Sequence, residues 1–94
     1  MKVEFTYAGQ ESLRQLNSGA QDAVLSVLDD LNGGHKDRSE VLEKDAGGKY
    51  HYFEFEFSGE SYTVVVDLTR HYSGLEDELA VVDMGPTSDF LLDS

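Results

Sequence analysis

The stretch YHYFEFEFSGESYTVVVDL, residues 50–68, decides how this chain folds. Its first half alternates strictly, with His51, Phe53, Phe55 and Phe57 on one side and Tyr50, Tyr52, Glu54 and Glu56 on the other. A period of two with aromatics on one side marks a strand with one buried face. Ser58, Gly59 and Glu60 interrupt the run as a tight turn, since small, glycine-containing breaks between alternating runs make hairpins. The second half alternates again, Tyr62, Val64, Val66 and Leu68 inward and Thr63, Val65 and Asp67 outward. Together the halves predict an antiparallel hairpin, aromatic inside and carboxylate-bearing outside.

Working outward, Lys2 to Tyr7 alternates in the same way, with Val3, Phe5 and Tyr7 on the apolar side; Ala8 and Gly9 end it. Leu13 and Leu16 predict a short helix over Glu11 to Leu16, broken by Asn17, Ser18 and Gly19. Ala20, Val24, Val27, Leu28 and Leu31 form the stripe of an amphipathic helix over Ala20 to Leu31. Ser18 is placed to cap it with Gln21 as its capping-box partner, and Gly33 and Gly34 supply the stop. Helices this short are marginal in water, so the stripe must dock on the sheet. His35 to Gly48 reads as a polar connection with one strand-like stretch around Val41 and Leu42. Beyond the hairpin, a polar loop from Thr69 to Glu78 leads to a last strand, Leu79 to Met84, stopped by Gly85 and Pro86. Phe90, Leu91 and Leu92 form an apolar tail able to pack back. The order is β-α-α-β-β-β. It predicts one α+β domain over residues 1–94, with a helical hairpin on one face of a small antiparallel sheet and the other face open.

Charge narrows the function. Seven Lys and Arg oppose 19 Asp and Glu, for a net charge of −12 at pH 7 and a pI near 4.3. Binding to nucleic acid or to an anionic membrane needs basic charge, so the composition argues against both. No run approaches the roughly 18 apolar residues of a spanning helix, and the amino-terminal residues lack the apolar core of a secretion signal. A cytoplasmic protein is expected. The absence of cysteine excludes disulfides, thiolate nucleophiles and zinc–cysteine sites. Carboxylates spread along the chain, with four lysines and no isoleucine, resemble the surfaces of proteins from salt-loving organisms; an ordinary acidic domain is the alternative.

Two groups of residues carry candidate chemistry. Tyr50, Tyr52, Glu54 and Glu56, beside Thr63, Val65, Asp67 and Glu4, present aromatics among carboxylates on the open face, a surface suited to a cationic or aromatic partner; a solvated sheet face is the plain alternative. Arg70, His71 and Tyr72 stand together as the one compact group with acid–base potential, able in principle to act on RNA, although loop residues of this kind are commonly mere surface. His35, Lys36 and Arg38 read as an exposed loop, and His51 as a packed or boundary histidine. No metal site is expected: Glu76, Asp77 and Glu78, and the Asp29–Asp30 pair, lack the spacing of a calcium loop, and the histidines lack the i, i+4 spacing of a zinc helix. No cofactor motif and no nucleophile elbow occurs.

The stretches "VEFTYAGQESLRQL", "AQDAVLSVLDDL", "YHYFEFEFSGESYTVVVDL" and "ELAVVDMGPTSDFL" resemble, over essentially the full length, the RelE/ParE superfamily of toxins from toxin–antitoxin systems. That resemblance implies a strand, a helical hairpin and a three-stranded antiparallel meander. Members commonly carry Arg-Val-Gly-Asp-Tyr-Arg across the hairpin and Gly-His-Arg-x-x-x-Tyr at the end. Here Glu56, Gly59, Tyr62 and Thr63 occupy the first, an acid and a threonine replacing the two arginines. In the second, Gly85 is kept, while Pro86, Thr87 and Leu91 replace His, Arg and Tyr. In the ribonuclease branch those groups stabilise the scissile phosphate and move protons, so the resemblance implies shape without that machinery; the gyrase-poisoning branch acts by binding. The expectation is a toxin-like component of a type II toxin–antitoxin system that acts by protein binding. A small antitoxin would be its partner, seated in a groove near Leu13, Leu16 and Val24. An acidic, non-toxic module that mimics nucleic-acid charge to occupy a basic protein is one alternative. A non-standard ribosome-dependent endoribonuclease using Arg70, His71 and Tyr72 is another.

Overall fold

The computed structural model describes residues 2–36, 38–44, 50–69 and 77–90. Strand β1 (Lys2–Phe5) is followed by helices α1 (Tyr7–Gln15), α2 (Ser18–Asn32) and the single turn α3 (Arg38–Val41). Strands β2 (Glu43–Lys44), β3 (His51–Phe57), β4 (Glu60–Thr69) and β5 (Glu78–Pro86) come next, then a 3-10 turn at Thr87–Asp89. The fold is α+β, and its strands form one five-stranded sheet in the order β1-β5-β4-β3-β2.

The sheet is mixed, not antiparallel throughout. β2, β3, β4 and β5 pair antiparallel in turn, but β1 runs parallel to β5, Lys2 opposite Glu78 and Phe5 opposite Val81. Alternation assigns side chains to faces and carries no information on strand direction. Direction follows from the connection, because parallel neighbours need a long crossover. Here everything from α1 through β4 lies between β1 and β5 in the chain, and the helix pair begins that crossover: Asn32, at the end of α2, accepts the Val3 N–H at 3.1 Å, so the chain returns beside the start of β1.

The amino-terminal strand is shorter than its alternation predicts. Tyr7, Ala8 and Gly9 belong to α1, and Tyr7 is 80% exposed instead of inward. Thr6 makes the break. Its hydroxyl oxygen accepts the Gly9 N–H at 3.0 Å as the helix cap, a stabilising arrangement for an otherwise orphan donor. The same hydroxyl and the Thr6 N–H both donate to the Val81 carbonyl, at 3.1 and 3.0 Å. Gly9 lies over that carbonyl so closely that a Cβ would stand 2.0 Å from its oxygen. A residue that reads as a strand terminator is a helix-to-sheet contact.

Helix α2 is capped one residue earlier than expected: Asn17, not Ser18, accepts the Ala20 N–H at 2.8 Å. The Gln21 amide donates to the Leu16 carbonyl at 2.8 Å, and Gly34, at φ +77°, makes the left-handed exit. The predicted stripe is inward, with Ala20, Val24, Leu28 and Leu31 buried against Phe53, Val64, Val66, Leu79, Val81 and Met84. Each Val or Leu buried in this way contributes roughly 1.5–3 kcal/mol. A bulge between Val65 and Val66 sets Asp83 opposite the first and Val81 opposite the second. The extra residue keeps both Val81 and Met84 on the core face, which strict alternation forbids. In the long connection, α3 runs through Val41, and the paired residues are Glu43 and Lys44 instead of Val41 and Leu42, which pack against the core.

Candidate functional site

Strand β3 positions the site. The turn after it, Ser58 at φ 55° and Gly59 at φ 79°, has both central residues in the left-handed region, the two-residue type I′ geometry that matches strand twist. It fixes the register Phe57–Glu60, Phe55–Tyr62 and Phe53–Val64. Aromatics then face the helices, while Tyr52, Glu54 and Glu56 face outward opposite Val65, Thr63 and Ser61. In this ladder Phe57, Phe55 and Phe53 hydrogen-bond to β4, and the backbone groups of Tyr52, Glu54 and Glu56 point to the sheet's edge. β2 pairs with Tyr52 and His51 and goes no further. Among the described residues no strand pairs with Glu54 or Glu56 on that side, and both side chains are exposed. Ion pairs join Lys2 to Glu4, Arg14 to Glu11 and Lys36 to Asp30; Glu54 and Glu56 are in none of these three. Tyr50 precedes the strand and is 36% exposed; Tyr52 is half-buried.

The outer face is not uniformly open. Thr63, expected there as an exposed residue, is fully buried. The 3-10 turn folds over it, and the Thr87 hydroxyl lies 3.0 Å from those of Ser61 and Thr63. The Phe90 ring sits on Gly85, 3.4 Å from where a Cβ would be. Of the predicted apolar tail, Phe90 packs back against Gly85, while Thr87 covers Ser61 and Thr63. Val65 is half-buried and Asp67 exposed, further along β4.

Tyr62, on the core face, stacks on Phe55 with centroids 5.1 Å apart and planes at 13°. Burial pushes its phenol above the usual value of 10.0, helped by the Glu60 charge and by the hydroxyl's bond to that carboxylate at 3.3 Å; the Asn17 side chain opposes.

The groove expected near Leu13, Leu16 and Val24 is filled by those side chains themselves. Val24 is fully buried, Leu16 is 9% exposed and Leu13 packs against the same core, so they build the domain. Arg70, His71 and Tyr72 lie outside the described residues, as do Glu76, Leu91 and Leu92. Thr87, at a position where the resemblance implies a basic group, bonds to Ser61 and Thr63. His51 is half-buried opposite Val66, and His35 and Lys36 are exposed. Among the described residues no group of three His, Cys, Asp or Glu is placed to hold a metal ion, and no helix is long and apolar enough to cross a membrane. The sequence did not disclose that β2 begins only at Glu43, after the turn α3, so that no part of it pairs with Glu54 or Glu56. No family model matches this chain, and neither a curated protein nor a solved structure matches it.

Proposed function

We propose that this protein is a binding module that takes up a cationic, extended segment of a partner protein along the outer edge of β3. One observation carries the reading: Glu54 and Glu56 stand two residues apart on the edge of β3, beyond the start of β2 at Glu43, with no cation of the described residues set against them. An added strand with Lys or Arg at alternate positions would pair its backbone with β3 and its charges with the two carboxylates. A second copy of β3 in that place would set glutamate against glutamate, so the edge discriminates against itself. The net charge of −12 adds long-range attraction that salt screens. The test is a titration with a short alternating Lys–Val peptide, followed by amide shifts. Shifts centred on Tyr52 to Phe57, weakened about tenfold by half-molar salt and by Glu54→Gln with Glu56→Gln, are expected. Equal binding of a Glu–Val peptide, or no shift at millimolar concentration, would sink the proposal.

The toxin–antitoxin reading is a narrower version of the same function. What supports it is the helix pair ahead of the β3–β4–β5 meander, the arrangement that the RelE/ParE resemblance implies. It names the partner as a small antitoxin and the outcome as growth arrest on expression, relieved by a neighbouring reading frame. Unimpaired growth with soluble product would leave the general binding module standing. Arrest abolished by His71→Ala would instead favour the ribonuclease alternative.

A further inference from the structure

Away from β3, one concavity runs along α2. It has a volume of about 540 Å³, with Val3, Leu25 and Leu28 as its apolar lining and Asp22, Asp29 and Asn32 among its polar one. Leu25 lies outside the buried stripe of the helix and is 41% exposed, whereas Tyr7 and Tyr50 are the other large apolar side chains exposed among the described residues. Three features define what fits. The floor is apolar and includes a leucine that the core does not use. Asp22 and Asp29 are seven positions apart, two helical turns or about 10.5 Å along one face of α2, and neither belongs to an ion pair of the described residues. Finally, the Val3 N–H, which points outward from edge strand β1, is already taken by Asn32 Oδ1 at 3.1 Å. An added strand finds that donor occupied, so the groove suits side chains, not a backbone ladder.

The geometry points to a cationic amphipathic helix of a partner protein as the occupant. It would set a large apolar side chain over Leu25 and Leu28, with Lys or Arg at positions i and i+7 meeting Asp22 and Asp29. A second copy of α2 would bring the same two aspartates against each other, and like charges in contact disfavour that pairing. This surface is distinct from the β3 edge and stands independently of it.

Two synthetic helical peptides of identical composition test the assignment against the full chain by amide-shift titration. One carries Lys at i and i+7 with Leu between them on the same face; the other has these residues scattered around the helix. The first is expected to shift Val3 and residues 22–32. Leu25→Ala, and separately Asp22→Asn with Asp29→Asn, should weaken it by about fivefold or more. Glu54→Gln should leave it unchanged, and far-UV circular dichroism of each variant should match the parent. Equal binding of both peptides would show general attraction to negative charge and overturn the assignment. Shifts gathered on β3 would overturn it in favour of the sheet edge. A concentration-dependent dimer lost in Leu25→Ala would give the groove to a second copy and overturn it as well.

Discussion

The two edges of the sheet are finished by different physics. On the β1 side the edge is closed by contacts. Asn32 occupies the Val3 N–H, Thr6 doubles its bonds onto Val81, and the Ser12 hydroxyl donates to Asp83 at 2.8 Å, which holds α1 along β5 where β1 has ended. On the β3 side, past the two residues of β2, the edge is finished by the exposed charges of Glu54 and Glu56. Contacts exclude every added strand alike, and salt leaves them nearly intact. Charge excludes a like partner and admits an unlike one, and it weakens as ionic strength rises.

Substitutions at two glycines probe this difference most sharply. Gly9→Ala drives a methyl into the Val81 carbonyl oxygen, 2.0 Å away, and backbone locked between β1 and β4 cannot yield. A loss of about 3 kcal/mol in urea unfolding is expected. Gly19→Ala meets the Phe57 ring at 2.2 Å, but that ring ends the edge strand and can swing outward, so about 1–2 kcal/mol should suffice. Equal costs would break the contrast between a rigid side and a yielding one. Asn32→Ala frees the Val3 N–H at a surface-exposed bond; about 1 kcal/mol and faster hydrogen exchange at Val3 are expected. Glu54→Thr with Glu56→Thr should move stability by no more than about 0.5 kcal/mol, yet produce concentration-dependent association on gel filtration, because β3 loses its repulsion. A monomer at all concentrations would show that something other than charge guards that edge.

The smallest effect at neutral pH comes from Tyr62, whose phenol is raised chiefly by burial and next by Glu60. The neutral form is the one the fold favours. Its contribution is therefore complete below the ordinary tyrosine value of 10.0 and is lost as pH climbs through the higher folded value. Tyr62→Phe keeps the stack on Phe55 and should flatten the alkaline limb of a stability–pH profile while leaving pH 7 nearly unchanged.

The residues from Tyr50 to Leu68 and the stripe from Ala20 to Leu31 were legible because each pattern needs a single neighbour to explain it: a face that is buried. What stayed hidden depends on partners far along the chain. Gly9 reads as punctuation until Val81 lies beneath it. Thr63 reads as outward and exposed until Thr87 and Phe90 fold across it. The bulge at Val65 and Val66 depends on register against β5, which β4 alone does not encode. Of the candidate site, Tyr52, Glu54 and Glu56 were readable from alternation. The edge beside them was not, since it exists only because the chain ahead of Glu43 turns as α3 instead of extending β2. Leu25 did leave a signal, as an apolar residue beside the stripe of α2, but its meaning needed the groove around it.

The parallel pairing of β1 with β5 bears on the order of events as the chain is made. Residues 2–5 are made well before their ladder partners, residues 78–81. Closing so large a loop is entropically costly and slow compared with the β3–β4 hairpin, whose turn is two residues long. β1 must therefore wait while the helices and the hairpin form, and one side of β4, with Val66 and Leu68, stays unpaired until β5 slots between them. The sheet is completed from its middle, and the interval before that insertion is when the nascent domain is most open to capture by other chains.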